Sequence, residues 1–141
     1  VERDGLKGTL TKLGVSSIAF TLLAQGMLTR KYLGGIPEGS RATQGKSLNP
    51  LMISERAVAN LNKLNEIAES RGQTMAQMAI AWVLRDGSIT SAMVGASKPS
   101  QVEDCVGAVG NLDFTAAELK RIDEYADQEK INLWAKSSEM D

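Results

Sequence analysis

Apolar residues recur at helical spacing in four segments of this chain, with polar residues between them. The pattern predicts helices over 53–71, 74–86, 98–109 and 115–127. The second and the fourth open on a capping box, Thr74 with Gln77 and Thr115 with Glu118, which is typical of a helix N-terminus. In the third helix, the stripe expected to face inward consists of Val102, Val106 and Val109.

A weaker helical pattern between Leu6 and Leu13 ends at Gly14. Two short apolar runs without helical spacing, near 15–22 and over 91–95, predict strands. The first run is apolar on both sides, so we expect it to be buried on both faces, as in a parallel sheet. Strands that alternate with helices predict parallel βα units and an α/β fold class.

Between the first strand and the next helix, the segment 23–50 is rich in glycine and has no period, which predicts a long loop. Loops of this length in compact domains are usually functional or disordered. The tail, 128–141, has no period either. Because a sheet of two parallel strands is too small to be stable alone, residues 1–141 are predicted to form a single partial domain. A piece of a larger α/β protein is the simplest explanation; N-terminal processing and an assembly that supplies the missing strands are the alternatives.

Charge, hydropathy and residue counts exclude several classes of function. The 141 residues carry a net charge of −1 without a basic stripe, which argues against nucleic-acid binding. No apolar run approaches the ~20 residues of a membrane span, and the start has no signal-peptide character, so we expect a cytoplasmic protein that does not bind membranes. One cysteine and no histidine exclude an internal disulfide, a Ser-His-Asp triad and a histidine-ligated zinc.

The strongest ligand signal is the stretch 91–100, an apolar run that breaks at Gly95 and enters a helix through Ser97 and Pro99. Glycine allows close backbone approach, and the free N–H groups of a first helical turn favour an anion. The same order of strand, glycine and helix start also occurs in βα connections that bind nothing. The pattern is therefore compatible with a phosphate site and with a plain turn.

Two longer stretches resemble a known family. Residues 18–32, Ile-Ala-Phe-Thr-Leu-Leu-Ala-Gln-Gly-Met-Leu-Thr-Arg-Lys-Tyr, are similar to the seventh-strand segment of aldo-keto reductases. Residues 94–104, Val-Gly-Ala-Ser-Lys-Pro-Ser-Gln-Val-Glu-Asp, resemble the eighth strand and nucleotide-binding helix of that family. Gly35-Ile36-Pro37 and Asn132-Leu133-Trp134 are similar to the branch that contains potassium-channel β subunits and bacterial glyceraldehyde-3-phosphate reductases. The resemblance extends from about Gly14 onward.

The resemblance implies the carboxyl-terminal portion of a (β/α)8 barrel, from an oxidoreductase that reduces small-molecule aldehydes and ketones with NADP(H). The family's catalytic aspartate, tyrosine, lysine and histidine come from earlier strands and have no counterpart here, so the chain is expected to be inactive alone. Tyr32 and Tyr125 are interpreted as packing residues. Partners would be the missing barrel half, or further copies of the chain that cover the open strand edges. The alternative is a truncated, non-catalytic module that serves as a binding or assembly unit.

The resemblance also implies the cofactor contacts. Those at the end of strand seven and on the covering loop are Phe20, Thr21, Leu22, Leu23, Ala24, Lys31 and Arg41. Those at the adenosine half, with its 2′-phosphate, are Gly95, Ser97, Lys98, Gln101 and Asp104. Leu22 stands where the family commonly has proline, and Cys105 where the branch often has asparagine. Trp134 would line the substrate pocket or anchor the tail, and neither a catalytic residue nor a metal ligand is expected in this chain.

Overall fold

The computed structural model describes residues 5–35 and 54–126. Within these ranges the chain forms five α-helices and two strands, interspersed with short 3-10 turns. In chain order they are α1 (Leu6–Leu13), β1 (Ile18–Ala19), α2 (Glu55–Ser70), α3 (Met75–Leu84), β2 (Ser91–Ala92), α4 (Pro99–Val106) and α5 (Ala116–Tyr125). The 3-10 turns span Ala24–Gly26, Arg30–Tyr32 and Gly107–Gly110. The loop predicted over 23–50 is described only as far as residue 35, and the tail lies outside the described residues.

The two strands pair in parallel, with Ile18 opposite Ser91 and Ala19 opposite Ala92. Both are shorter than the predicted runs. After β1 the backbone leaves the extended conformation at Thr21, where φ is +60°. The predicted burial of the first strand on both faces is wrong: Ile18 is 63% exposed. A parallel strand is buried on both faces only when layers cover both.

Local capping chemistry sets the helix starts. Ser54 accepts a hydrogen bond from the N–H of Ala57 at 3.2 Å and so opens α2. The predicted capping boxes at Thr74 and Thr115 are both confirmed, at the first turns of α3 and α5. Each box satisfies N–H groups that have no partner inside the helix, which is why these two boundaries could be predicted from sequence.

The core lies between α2, α3, α5 and the 3-10 turn that ends at Tyr32. Its buried members are Met27, Tyr32, Leu61, Leu64, Ile67, Ala68, Met75, Met78 and Ile122. Tyr32 is 1% exposed, and Tyr125 packs against the same cluster. Both placements agree with the packing role that was expected for the two tyrosines.

The valine stripe of the predicted helix 98–109, which the structure divides into α4 and the 3-10 turn after it, contradicts the sequence prediction. Val102, Val106 and Val109 were expected to face inward, yet Val106 is 61% exposed, and its two companions are exposed as well. α4 instead turns Asp104 and Cys105 toward the interior, and Ala108 is fully buried in the 3-10 turn that follows. Helical spacing marks a face that is suited to burial, but it does not say whether the covering element lies within the described part of the chain.

One buried ion pair joins α2 to α5. The guanidinium of Arg71 lies 3.0 Å from Oε1 of Glu118, with the two side chains 3% and 23% exposed. Burial acts to raise the pKa of the Glu118 carboxyl, but hydrogen bonds from Thr115 and the pair with Arg71 outweigh it and lower that pKa below its ordinary value. The charged form of Glu118 is therefore favoured by folding.

We expect Glu118 to contribute to acid unfolding. Because its pKa is lower in the folded state, its stabilising effect is complete above the ordinary glutamate value, about 4.3, and is lost as the pH falls through the folded pKa. Glu118→Gln should therefore reduce the drop in Tm between about pH 5 and pH 3, followed by thermal unfolding. Glu66→Gln, which removes the exposed partner of Lys63, is the matched control and should reproduce the wild-type curve. Equal slopes for wild type and Glu118→Gln would refute this expectation.

Among residues 5–35 and 54–126, no helix combines the length and the apolar character that crossing a bilayer requires.

Candidate functional site

A cleft of about 690 Å³ opens where the chain leaves the two parallel strands. One wall is formed by the segment after β1, with Thr21, Leu22, Leu23, Gly26, Thr29, Lys31 and Tyr32. The other is formed by the segment after β2 and by α4, with Met93, Val94, Gly95, Ala96, Ser97, Gln101, Asp104 and Cys105. Ala76, in the first turn of α3, completes the lining. Carboxyl ends of parallel strands are the usual ligand-binding edge of α/β proteins.

The first wall is a strained turn. Thr21 and Ala24 both have left-handed backbones, with φ of +60° and +44°, which non-glycine residues adopt at a cost of about 1–2 kcal/mol each. The N–H of Ala24 donates to the carbonyl of Thr21 at 3.0 Å and closes the turn around Leu22 and Leu23. Strain of this kind persists where surrounding structure enforces it, and ligand sites are where it clusters.

The second wall presents converging hydrogen-bond donors. Oε1 of Gln101 accepts from the N–H of Ser97 at 2.8 Å, from the Ser97 hydroxyl at 3.2 Å and from the N–H of Lys98 at 3.2 Å. The residue that caps α4 is Lys98, and the helix begins at Pro99. The Ser97 hydroxyl therefore donates to Gln101 in the cleft wall and is not the N-cap of α4. Three donors around one oxygen at a helix N-terminus suit the oxygen of an anion.

Asp104 is tied to α3 at two points. Its carboxylate accepts a hydrogen bond from the Thr74 hydroxyl, with Oδ1 at 3.1 Å. Its peptide carbonyl accepts from Nε2 of Gln77 at 3.0 Å. The family resemblance implies a cofactor contact for Asp104, and the structure adds that the same residue anchors the wall of the cleft.

Cys105 lines the cleft beside Asp104. Burial raises the pKa of its thiol, and the neighbouring Asp104 carboxylate raises it further. The thiol is therefore protonated at neutral pH, which fits a packed residue better than a redox centre.

Lys31 brings a cation to the opposite wall. The residue is exposed, lines the cleft, and holds its Nζ 5.9 Å from the centroid of the Tyr32 ring. Within about 6 Å of a ring a cation gains a modest attraction, which biases the lysine toward this side of the turn. A negatively charged ligand in the cleft would meet a positive charge here.

Most of the predicted cofactor residues meet in this one cleft. They are Thr21, Leu22, Leu23, Lys31, Gly95, Ser97, Gln101 and Asp104. Phe20, Ala24 and Lys98 do not line it: Phe20 is 64% exposed, Ala24 begins a 3-10 turn, and Lys98 contributes its N–H to Gln101. Arg41 and Trp134 lie outside the described residues.

Some lining residues were not predicted. Met93, Val94 and Ala96 flank Gly95, and the rule that strand-exit residues line the ligand edge would have found them. Thr29 is held in the first wall by its hydroxyl, which donates to the carbonyl of Gly26 at 2.7 Å. Ala76 has no signal in the sequence, because it reaches the cleft only through the packing of α3 against α4.

Parallel strands joined through helices, with a cleft at their carboxyl ends, are the arrangement of the α/β class of proteins, in which ligands usually bind at that edge. The Aldo/keto reductase family model matches residues 1–127. The chain therefore belongs to the aldo/keto reductase family, and the resemblance drawn from residues 18–32 and 94–104 is confirmed.

Named relatives belong to the branch that the sequence indicated. L-glyceraldehyde 3-phosphate reductase of Escherichia coli O157:H7 is 48% identical over 99% of this chain and 41% of its own length. The protein of the same name from Escherichia coli K12 is 46% identical over the same shares. A putative voltage-gated potassium channel subunit beta of Schizosaccharomyces pombe is 38% identical over 79% of this chain and 34% of its own length. The chain thus spans about two fifths of the length of the two bacterial relatives, at 41%.

Proposed function

We propose that this chain is the cofactor-binding, carboxyl-terminal part of a (β/α)8 aldo-keto reductase, an oxidoreductase that reduces small-molecule aldehydes or ketones with NADP(H). The observation that carries the proposal is the convergence of residues from two distant segments, 21–31 and 95–104, on one cleft at the carboxyl ends of parallel strands. In barrels of this kind the active site lies at that face. L-glyceraldehyde 3-phosphate, named in two relatives, is the first substrate to test.

The donor set of the cleft suits a phosphorylated nucleotide. The N–H and hydroxyl of Ser97 and the N–H of Lys98 point to one position, which Oε1 of Gln101 fills and a phosphate oxygen can take. Lys31 supplies a positive charge on the facing wall. NADPH, when bound, supplies the hydride, and the residues of this chain bind and orient it.

The remainder of the barrel is the proposed partner. Large apolar side chains are exposed on β1, after β2 and along α4, including Ile18, Met93 and Val106. A sheet of two strands also leaves two edges with unpaired backbone groups. Further strands and helices of an eight-stranded barrel would cover both, and they would bring the catalytic aspartate, tyrosine, lysine and histidine, of which histidine is absent here.

The test is a chimera in which this chain replaces the matching segment of the K12 L-glyceraldehyde 3-phosphate reductase, compared with the chain alone. The chimera is expected to bind NADPH saturably, measured by quenching of tryptophan fluorescence, and to oxidise NADPH when the aldehyde is added. The chain alone is expected to lack activity. A chimera that is folded by circular dichroism and does not bind NADPH would refute the proposal.

The exposed valines of α4 favour a second candidate, a non-catalytic unit that assembles through this face and the strand edges. Sedimentation of the chain alone separates the two. Discrete oligomers combined with a chimera that does not bind NADPH would favour the assembly unit, whereas a monomer combined with a chimera that binds NADPH would favour the reductase.

A further inference from the structure

The capping box of α3 makes bonds that a capping box does not need. Oε1 of Gln77 accepts from the N–H of Thr74 at 3.0 Å, and the Thr74 hydroxyl accepts from the N–H of Gln77 at 3.1 Å. These two bonds complete the box. The remaining donors on both side chains, the Thr74 hydroxyl and Nε2 of Gln77, go to Asp104 of α4.

The attachment to Asp104 fixes α4 at two points. Gln77 holds the peptide carbonyl at 3.0 Å, and Thr74 holds the carboxylate at 3.1 Å. A backbone contact restrains the position of the helix, and a side-chain contact restrains its rotation about its own axis. Gln101 lies one turn before Asp104 on the same helix, and its Oε1 accepts hydrogen bonds from the N–H groups of Ser97 and Lys98. The position of α4 therefore sets the position of the converging donors.

Gly107 supplies an independent sign that the packing is built around Gln77. Its φ of −57° is ordinary helical backbone, so the conformation does not require glycine. A Cβ at this position would lie 2.5 Å from Nε2 of Gln77 and 3.3 Å from its Cδ. Any Cβ at this position would therefore displace the Gln77 amide from the place it occupies. A Cβ at Gly110, at the end of the same 3-10 turn, would meet no atom within 4 Å.

The capping box of α5 is built differently. Oε2 of Glu118 accepts from the N–H and the hydroxyl of Thr115, and Oε1 pairs with Arg71, so its bonds stay between α5 and the end of α2. Neither Thr115 nor Glu118 lines the cleft. The bonds from a capping box to Asp104 on the cleft wall are therefore made by α3 and have no counterpart in the box of α5.

We propose that Gln77, together with Thr74, is a positioning residue of the cofactor cleft: through Asp104 it fixes α4 so that the donors at Ser97 and Lys98 converge on a ligand oxygen. This deepens the proposed function and rests on it. Gln77 does not touch the ligand, and its contribution to affinity comes from holding the wall in the binding geometry before the ligand arrives.

Gln77→Glu separates capping from positioning. A glutamate keeps the acceptor that completes the box but has no N–H donor for the carbonyl of Asp104. We expect the NADPH Kd to rise roughly tenfold and the Tm to fall, because the new carboxylate faces the carbonyl of Asp104 without a donor. Gly107→Ala is a second variant that adds no charge. Its new Cβ displaces the Gln77 amide, so it should also raise the NADPH Kd. Gly110→Ala is its matched control and should leave the Kd within about twofold of wild type.

Two readouts are collected on the full chain and on the chimera: NADPH titration by tryptophan fluorescence, and amide hydrogen exchange over residues 99–106 without ligand. Faster exchange in Gln77→Glu and Gly107→Ala, but not in Gly110→Ala, supports the positioning role and does not depend on cofactor binding. A wild-type chimera that does not bind NADPH would refute the proposed function, while the exchange data still decide whether Gln77 fixes α4. The inference would be overturned if Gln77→Glu and Gly107→Ala both exchanged amide hydrogens over 99–106 at the wild-type rate. Their Kd for NADPH, where binding is measurable, would then also equal that of wild type.

Discussion

Replacing Arg71 by methionine is expected to lower the free energy of unfolding by about 3 kcal/mol. The Arg71 side chain is 3% exposed and pairs with Glu118 at 3.0 Å. It also donates to Oε1 of Gln73 at 2.9 Å and to the carbonyl of Asn111 at 3.3 Å, and it stacks 3.6 Å from the centroid of the Phe114 ring. Methionine fills much of the space but leaves the Glu118 charge without its partner. Removing one member of a buried ion pair is costly for this reason.

Urea unfolding of wild type and Arg71→Met measures the loss. Lys63→Met is the matched control, because it removes the lysine of an exposed pair with Glu66, and it should cost less than about 1 kcal/mol. The double variant Arg71→Met/Glu118→Gln should recover part of the lost stability, since it removes the unpaired charge and keeps the acceptor for Thr115. A cost for Arg71→Met no greater than that for Lys63→Met would show that the pair contributes nothing beyond an exposed one.

Features set by neighbouring residues could be predicted from the sequence. The capping boxes at Thr74 and Thr115 depend on a hydroxyl and an acceptor three residues apart, and both form as expected. The valines of α4 show the limit of pattern reasoning. Their spacing correctly marks one face of a helix, but burial also needs a covering element, which the described part of the chain does not provide.

The candidate site also has a part that the sequence could predict and a part that it could not. The stretch from Gly95 to Gln101 could be recognised because strand, glycine and helix start follow one another in sequence. Whether Ser97 or Lys98 caps α4 depends on the side chain of Gln101, which folds back onto the N–H groups of both. The bonds from Thr74 and Gln77 to Asp104 join residues about one helix and one strand apart in the chain, and no local pattern indicates them.

Ser97→Asp is expected to weaken NADPH binding about 100-fold, which corresponds to about 2.7 kcal/mol, and NADH binding less than about threefold. The proposed position of the 2′-phosphate is beside the Ser97 hydroxyl, where donors converge on one oxygen. An aspartate there replaces a donor with a carboxylate and sets like charges directly against each other, a juxtaposition that costs several kcal/mol. NADH lacks that phosphate, so its binding does not meet the repulsion.

The measurement is a pair of fluorescence titrations, with NADPH and with NADH, on the chimera carrying Ser97→Asp. Ser100→Asp is the matched control, because it adds the same charge to the first turn of α4 at a residue that does not line the cleft. It should change both affinities less than about threefold, since its effect is limited to exposed, screened charge. A carboxylate near a helix N-terminus is favourable in itself, so neither variant should unfold the protein. Equal losses of NADPH and NADH affinity in Ser97→Asp would mean that Ser97 shapes the cleft without meeting the 2′-phosphate, and the adenosine end of the cofactor would then have to lie elsewhere along the wall.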